Sequence, residues 1–580
     1  MKNIWRFLVP YYARYRKQLV LGFGALILKD VFHAAQPLVI RSGIDSLQKQ
    51  FAVETIFWLA GGLVGLSIIK GFFQYWMRVI IIGISRDIEF DLRNDLFGHL
   101  TTLSQDFYTK YRTGDIMARS TNDLNAVRMM LGPGLMYWVE TGLTLILSVA
   151  VMSFVDWRMT FLALLPAPLV SIAVIVFGRR IHERFEKIQA MFSTISSRVQ
   201  ENLAGVRVVR AYVQEEAEIA QFETMNREYI HHNIRLARLS ALFYPLLQTL
   251  VGLTFLTVLL AGGHRMLQGQ LSAGSFVMFN TYMGMLIWPM IAVGWVVNLI
   301  QRGRASVERI QEILNELPSV TAKANPVKLP DPVRGEISFH HVGIDYAAGS
   351  ALKDLTLTIP GGTTAAFVGH TGSGKTSAVN LIPRLMDPTR GYILLDGIDL
   401  RDLDPQELRR QIAMVPQETF LFSTTIAQNI ALGVQHSTRD GIDRAADIAG
   451  LTPDISSFPN GLETMVGERG ITLSGGQKQR TAIARAIMRN PRILILDDAL
   501  SAVDTVTEER ILQGLAGVMQ GRTTILISHR VSTIRHADRI FVIEDGAVAE
   551  QGTHDELLQL GGYYADLHQR QLLEEELETA

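Results

Sequence analysis

Cysteine is absent from the 580 residues of this chain, which excludes disulfides, thiolate metal sites and cysteine redox or nucleophilic chemistry. An excess of charge of either sign is missing too, with 55 Lys and Arg against 56 Asp and Glu. No bulk attraction toward nucleic acid follows, and the basic residues are scattered or gathered only beside apolar runs. Charged residues are few, 19% of the chain against 48% hydrophobic, and the mean hydropathy is positive at +0.19. That balance is unusual for a soluble enzyme. A small-residue cleavage site is lacking after the first apolar run of MKNIWRFLVPYYARYRKQ, so this stretch is expected to be retained.

Long hydrophobic runs are plentiful. A bilayer core about 30 Å thick takes roughly 20 mostly apolar residues per helix, and such runs recur between residues 19 and 301. Six spans are expected, at 19–40, 55–84, 131–155, 159–177, 241–267 and 275–300. The polar connections 85–130 and 178–240 are too long for structureless loops and read as helices continuing into water. Both carry many Lys and Arg, as does the segment before the first span (Arg6, Arg14, Arg16, Lys17), which assigns these sides to the cytoplasm. Trp5, Phe7, Leu8, Tyr11 and Tyr12 alternate with cations in the manner of an amphipathic helix lying in the interface.

Polar residues occur inside the spans: Lys29, Asp30, His33 and Gln36, then Lys70, Gln74 and Arg78, then Glu140, Gln248 and Asn280. Such residues line an interior or pair with one another, while Lys29, Lys70 and Arg78 are expected to snorkel toward an interface. The last span carries Phe276, Met278, Phe279, Tyr282, Met283, Met285, Trp288 and Met290. These either form a soft surface for amphipathic molecules or pack against neighbouring helices.

Beyond residue 301 the hydropathy drops, and NELPSVTAKANPVKLPDPVRGE opposes regular structure. The expected organisation is a membrane domain at 1–315, a linker at 316–336 and a soluble domain at 337–580. From Ile337 short aliphatic strands alternate with amphipathic helices, the pattern of an α/β domain with a largely parallel sheet.

Within TAAFVGHTGSGKTSAVNLI an apolar strand runs into Gly369, His370, Thr371, Gly372, Ser373, Gly374, Lys375 and Thr376 and then into a helix. That is the context a phosphate loop requires. Its glycines let backbone N–H groups converge on phosphate oxygens, Lys375 supplies positive charge to the β and γ phosphates, and the Thr376 hydroxyl suits magnesium. ATP and Mg2+ are therefore the expected ligands. Asp497 ends the aliphatic strand ILIL, where a carboxylate emerges beside that loop to hold magnesium through water. Ser474, Gly475, Gly476 and Gln477 open a further helix, whose free N–H groups and hydroxyl form a second phosphate-binding surface. One nucleotide cannot easily reach both surfaces of one chain, so two such domains are expected to face each other.

LSGGQ at 473–477, with the phosphate loop and Asp497, resembles the nucleotide-binding domain of ATP-binding cassette transporters, and the resemblance covers nearly the whole chain. It implies an all-α six-helix membrane domain fused to an α/β cassette, in a bacterial inner or plasma membrane with the cassette in the cytoplasm. It also implies roles. Tyr346 resembles the aromatic that stacks on adenine, Gln417 the residue that senses the γ-phosphate and magnesium, and His529 the histidine that contacts the γ-phosphate. Glu468 lies in the segment that exporters place against their membrane helices, and Ser501 to Asp504 resembles the loop joining two ATP sites. The stretches 103–124 and 199–216 resemble the cytoplasmic segments that dock on cassettes, with Thr113 to Asp115 and Arg210 to Tyr212 as the docking positions. A peptidase-like segment is missing ahead of the first span, which argues against a peptide exporter that processes its cargo.

The chain departs from the family at one catalytic position. Asp498 stands where glutamate usually polarises the attacking water, and Leu500 stands where threonine is common. Its carboxylate sits roughly 1 Å back, and a misplacement of that size costs on the order of 10²-fold in rate. A weak acid beside an intact LSGGQ resembles the impaired subunit of exporters built from two different chains, whose partner brings the glutamate. The reading is an ATP-driven exporter half for drugs or lipids, in contact with membrane lipid and a second half-transporter. A homodimer with two slow sites, and a channel-like or regulatory protein gated by ATP, stand as alternatives.

Overall fold

The computed structural model describes residues 2–49, 53–346, 349–467 and 473–579; Glu468 therefore lies outside the described residues. The chain divides into two compact units, one of residues 1–101 and 112–316, the other of residues 102–111 and 317–580.

In the first unit the short helix Lys2–Arg14 precedes long helices at Arg16–Lys49, Val53–Leu100, Leu135–Leu164, Ala167–Ala204, Glu215–Leu267 and Ala273–Asn315. The short helix buries Leu8 and Tyr11 and exposes Trp5 and Val9. Tyr11 and Arg14 donate to Asp95 and Asp91, one turn apart on Val53–Leu100. Between Val53–Leu100 and Leu135–Leu164, the helix Leu124–Met129 is flanked by the π-helical turns Arg119–Asp123 and Met130–Gly134. It packs so closely on the last helix that a Cβ at Gly303 would lie 2.3 Å from Met130 Cβ. Asp123 fixes that contact by accepting from Ser306 and Arg309.

Among the described residues, five helical runs are long and apolar enough to cross a bilayer: Arg16–Gln48, Val53–Leu100, Thr113–Leu164, Glu215–Leu267 and Ala273–Asn315. The expected fourth span, 159–177, is not carried by a single helix. Asp156 takes extended backbone (φ −158°, ψ 104°) inside Leu135–Leu164, and Leu165 and Pro166 separate that helix from Ala167–Ala204. Pro166 has no N–H with which to continue the ladder. Asp156 instead marks the boundary between the expected third and fourth spans: its carboxylate accepts from the N–H groups of Arg158 and Met159, both at 3.0 Å, and so caps a new helical start.

Lys29 does not snorkel. It is 3% exposed, and its ammonium sits 2.7 Å from Asp30 and 2.5 Å from Glu140, with Thr144 donating to Asp30 at 3.2 Å. Two carboxylates on neighbouring helices satisfy the charge where it lies. Met278, Phe279, Tyr282 and Met283 are likewise buried within this chain, in one cluster with Met152, Met159 and Val258. For those four, packing is the reading the structure supports.

Among the described residues, the second unit is built on one sheet of ten strands. They are β1 (Ile337–Tyr346), β2 (Gly349–Ile359), β3 (Thr364–Val368), β4 (Arg390–Leu395), β5 (Ile398–Asp399), β6 (Ile412–Val415), β7 (Ile493–Asp497), β8 (Thr523–Ile527), β9 (Arg539–Glu544) and β10 (Ala547–Gly552), in the order β5-β4-β1-β2-β10-β9-β3-β8-β7-β6. The half from β9 to β6 is parallel, as the alternation of strands and helices predicts. The other half is mostly antiparallel, a layer that alternation does not foretell. Strands β7 and β8 are buried along their whole length, which is why β7 reads as the aliphatic run ILIL and β8 ends in Ile525, Leu526 and Ile527. Alternate residues separate onto two faces. Leu494, Leu496 and Leu526 join a core with the helix Gly475–Met488, and Ile493, Ile495, Ile525 and Ile527 join one with β1 and β2.

Candidate nucleotide site

Four adjacent parallel strands, β3, β8, β7 and β6, end at the same edge of the sheet. Each delivers one of the sequence-predicted groups there: the phosphate loop after β3, His529 after β8, Asp497 and Asp498 at the end of β7, and Gln417 after β6. Ligands of α/β sheets bind at that carboxyl edge. His529 and Gln417 are exposed there, free to meet a ligand.

The loop's backbone needs glycine at two places for steric reasons. Gly369 has φ 151° and Gly374 φ 100°, and a Cβ would come within 2.1 Å of the Ile543 carbonyl oxygen at the first and 2.5 Å of the Ala351 oxygen at the second. Lys375 opens the helix Lys375–Leu381 and folds back. Its ammonium donates to the carbonyls of Gly369 (2.9 Å) and His370 (2.7 Å) and to Ser373 Oγ (3.3 Å). Burial holds its pKa below the ordinary lysine value. Thr371 and Gly372 form the exposed crown of the loop, and Thr376 stands exposed one residue beyond Lys375. Tyr346 closes β1 beside the same helix, its hydroxyl 3.3 Å from Ser377 Oγ, with the residue 42% exposed.

Asp497 is 1% exposed and its Oδ2 has no hydrogen-bond partner. Burial pushes its pKa up, against a hydrogen bond from the Thr376 hydroxyl; the neighbouring Asp498 charge raises it further. An orphaned carboxylate oxygen beside a threonine hydroxyl fits a hard cation that keeps waters and shares phosphate ligands. Among the described residues no group of three or more His, Asp or Glu gathers into a site made of protein ligands alone. Thr376 and Asp497, with Gln417 on the adjoining strand end, are the residues that would hold Mg2+. Asp498 has φ 48°, in the left-handed region, and its N–H donates to the Ile527 carbonyl at 2.9 Å. Of the residues with a Cβ, aspartate is among the few that visit that region readily.

At the signature, Ser474 caps the helix Gly475–Met488. Its Oγ accepts from Gln477 N, and the Gln477 side chain returns a bond to Ser474 N. The N–H groups of Gly475 and Gly476 lie in that first turn, where a helix leaves its donors without intrahelical partners. Gly476 approaches the following loop so closely that a Cβ would lie 2.9 Å from the Ala502 oxygen. Asp504 caps the helix Thr505–Met519 by accepting from Thr507 N at 2.9 Å, a bond that lowers its pKa.

Three residues here escaped the sequence reading. Gln479, 6% exposed, donates to Ser501 Oγ (3.0 Å) and accepts from Ala502 N (3.0 Å), tying the signature helix to the loop after Asp498. Glu508, 2% exposed, accepts from Arg530 and Thr533 and joins that loop's helix to the turn after His529. Gln571 bonds to the same turn. A buried acid one turn into a helix is a weak sequence signal for Glu508; the two glutamines carry none.

Two family descriptions match the chain: "ABC transporter transmembrane region" over residues 19–290 and "ABC transporter" over residues 352–501. It is 39% identical to a probable multidrug resistance ABC transporter ATP-binding/permease protein, YheI, of Bacillus subtilis, over 99% of this chain and 98% of that protein. It is 36% identical to the multidrug resistance-like ATP-binding protein MdlA of Escherichia coli, over 98% and 97%. An ATP-dependent lipid A-core flippase of Syntrophus aciditrophicus is 33% identical over 99% and 95%. Among solved structures, a bacterial Atm1-family ABC exporter with ATP bound superposes with a TM-score of 0.79 at 28% identity, over 96% of this chain and 99% of that one.

Proposed function

This chain belongs to the ABC transporter family, as an exporter-type half with a membrane region ahead of an ATP-hydrolysing cassette, and from that premise we propose that it exports amphipathic drugs or lipids as one half of a dimer. The names of its relatives carry multidrug resistance and a lipid A-core flippase. ATP binding closes two facing cassettes, the membrane helices change from inward-facing to outward-facing, and hydrolysis resets them. The units are a membrane domain at 1–315, a linker at 316–336 and a cassette at 337–580.

In this reading the phosphate loop, 369–376, cradles the triphosphate, Tyr346 stacks on adenine, and Gln417 and His529 face the γ-phosphate. Thr376, Gln417 and Asp497 would hold Mg2+, which would supply positive charge against the phosphates. Ser474, Gly475, Gly476 and Gln477 close over the nucleotide of the facing chain, and Ser501 to Asp504 carries contact between the two sites. The short helix Val206–Ala211 buries no side chain in its own chain, and Tyr212 beside it is 73% exposed; both suit docking on a facing cassette.

The single observation that carries the finer proposal is Asp498 in the glutamate position beside an intact LSGGQ. This chain grips ATP at its own phosphate loop and hydrolyses it slowly, and most turnover occurs where its signature meets the phosphate loop of a distinct partner chain that carries glutamate. His529, which stands in place, favours the second reading, a homodimer with two slow sites. Purification in detergent with untagged neighbours retained, followed by mass analysis, separates the two. A second chain with glutamate after its magnesium aspartate is expected; a lone homodimer with brisk turnover defeats the pairing.

A further inference from the structure

The last helix, Tyr563–Thr579, reaches two of the loops that handle phosphate. Its start is fixed. Glu550, in β10, accepts from the N–H groups of Tyr563 (2.6 Å) and Tyr564 (3.3 Å), and a Cβ at Gly562 would lie 2.1 Å from that carboxylate. Tyr564 is fully buried with its hydroxyl 2.8 Å from His554 Nδ1. Seven residues on, and so on the same helical face, the Gln571 carboxamide meets the turn after β8. Its Nε2 donates to the His529 carbonyl at 2.5 Å and its Oε1 accepts from Val531 N at 2.8 Å. One side chain thus closes a ring across residues 529–531 and fixes the peptide from which the imidazole departs. The Tyr563 ring meets His370 of the phosphate loop edge-on, centroids 4.5 Å apart.

We infer that Gln571 is a positioning residue, which holds the backbone of His529 so that the imidazole addresses the γ-phosphate of the ATP bound by this chain. The inference rests on the proposed role of His529. His529 is exposed in this turn while Val531 is buried, so water can take the place of the carboxamide at the His529 carbonyl when it is removed. What is lost is orientation. ATP and ADP differ by the γ-phosphate, so the mark of this role is a weaker preference for ATP over ADP at this chain's site, with nucleotide binding retained.

The test uses the full chain, purified with whatever partner it retains and photolabelled with 8-azido-ATP. Labelling of this chain, resolved on a gel, is competed with ATP and with ADP. Gln571→Ala should lower the ATP-over-ADP preference about fivefold, the scale of one to two hydrogen bonds. Gln571→Glu keeps the acceptor for Val531 but sets a carboxylate against the His529 carbonyl, and should lower it further. Leu572→Ala, exposed on the same helix, should leave it unchanged. His529→Ala should also lower it, and the double variant no further than His529→Ala alone. If Gln571→Ala keeps the preference that His529→Ala loses, or weakens ATP and ADP alike, the inference is overturned and the role of His529 stands. If His529→Ala itself keeps the preference, that role falls and the inference with it.

Discussion

Replacing Asp498 by glutamate adds one methylene at the position on which the proposed asymmetry depends, and the structure sets two opposed consequences. The carboxylate advances by roughly 1 Å toward the place of the attacking water, and recovery of a misplacement of that size is worth on the order of 10²-fold, or about 2.7 kcal/mol of transition-state stabilisation. Against it, residue 498 has φ 48°, where glutamate is less at ease than aspartate; the cost is about 1 kcal/mol or less, which for a domain of this size lowers Tm by about 2–4 °C. The assay is single-turnover hydrolysis of labelled ATP at this chain's site, with any glutamate of the opposite site replaced by glutamine so that only one site reports. Hydrolysis should quicken about a hundredfold while the cassette unfolds a few degrees earlier. A gain below about threefold with ATP still bound would mean that the length of the acid does not limit this site. Asp498→Asn is the complement: in the intact complex it should leave most turnover in place, and turnover abolished as completely as by loss of the opposite acid would refute the asymmetry.

The pKa of Asp497 is raised by burial and by the Asp498 charge, so without nucleotide its contribution to stability is fully present below the ordinary aspartate pKa and is lost as pH rises through the raised value. Mg2+ needs the ionised form, so Mg·ATP affinity at this site should climb with pH through that titration, by up to about tenfold per unit. Calorimetry in buffers of different ionisation heat should detect the released proton, and Asp497→Asn should flatten the slope; an affinity independent of pH would remove Asp497 from the metal site. In the membrane unit, Lys29→Met leaves Asp30 and Glu140 without their shared ammonium and should destabilise by about 3–5 kcal/mol, read as thermal unfolding in detergent. Replacing all three with apolar residues of similar volume should recover most of that loss, whereas a neutral Lys29→Met would indicate a side chain that reaches the headgroups.

What was legible in the sequence is what a few consecutive residues decide. The phosphate loop needs a strand, glycines that can take positive φ and a helix start, all within Thr364 to Leu381, so its place in the fold follows from its letters. Asp497 is legible because a strand buried on both faces spells an aliphatic run and the first acid after it marks the sheet edge. The fourth span shows the limit of this reasoning. Hydropathy averages over a window and runs smoothly through residues 159–177, whereas the helix there is interrupted at Leu165 and Pro166, where proline has no N–H to continue the ladder.

Groups that act at a distance along the chain leave no such trace. Read within its own span, Lys29 has Asp30 beside it and an inexpensive course in stretching toward water. Its second acidic partner, Glu140, lies 111 residues away, and only folding reveals that two carboxylates hold the charge where it sits. The same holds at the nucleotide site. Gln571 is 42 residues from His529, and Glu508 is 22 from Arg530; neither glutamine nor glutamate has a spacing rule that would single it out. The residues proposed to touch phosphate are fixed by local backbone geometry and recur as motifs. Those proposed to aim them are fixed by whichever element the topology brings alongside, so in this reading a chain can keep every motif and still lose its preference for ATP through one amide on its last helix.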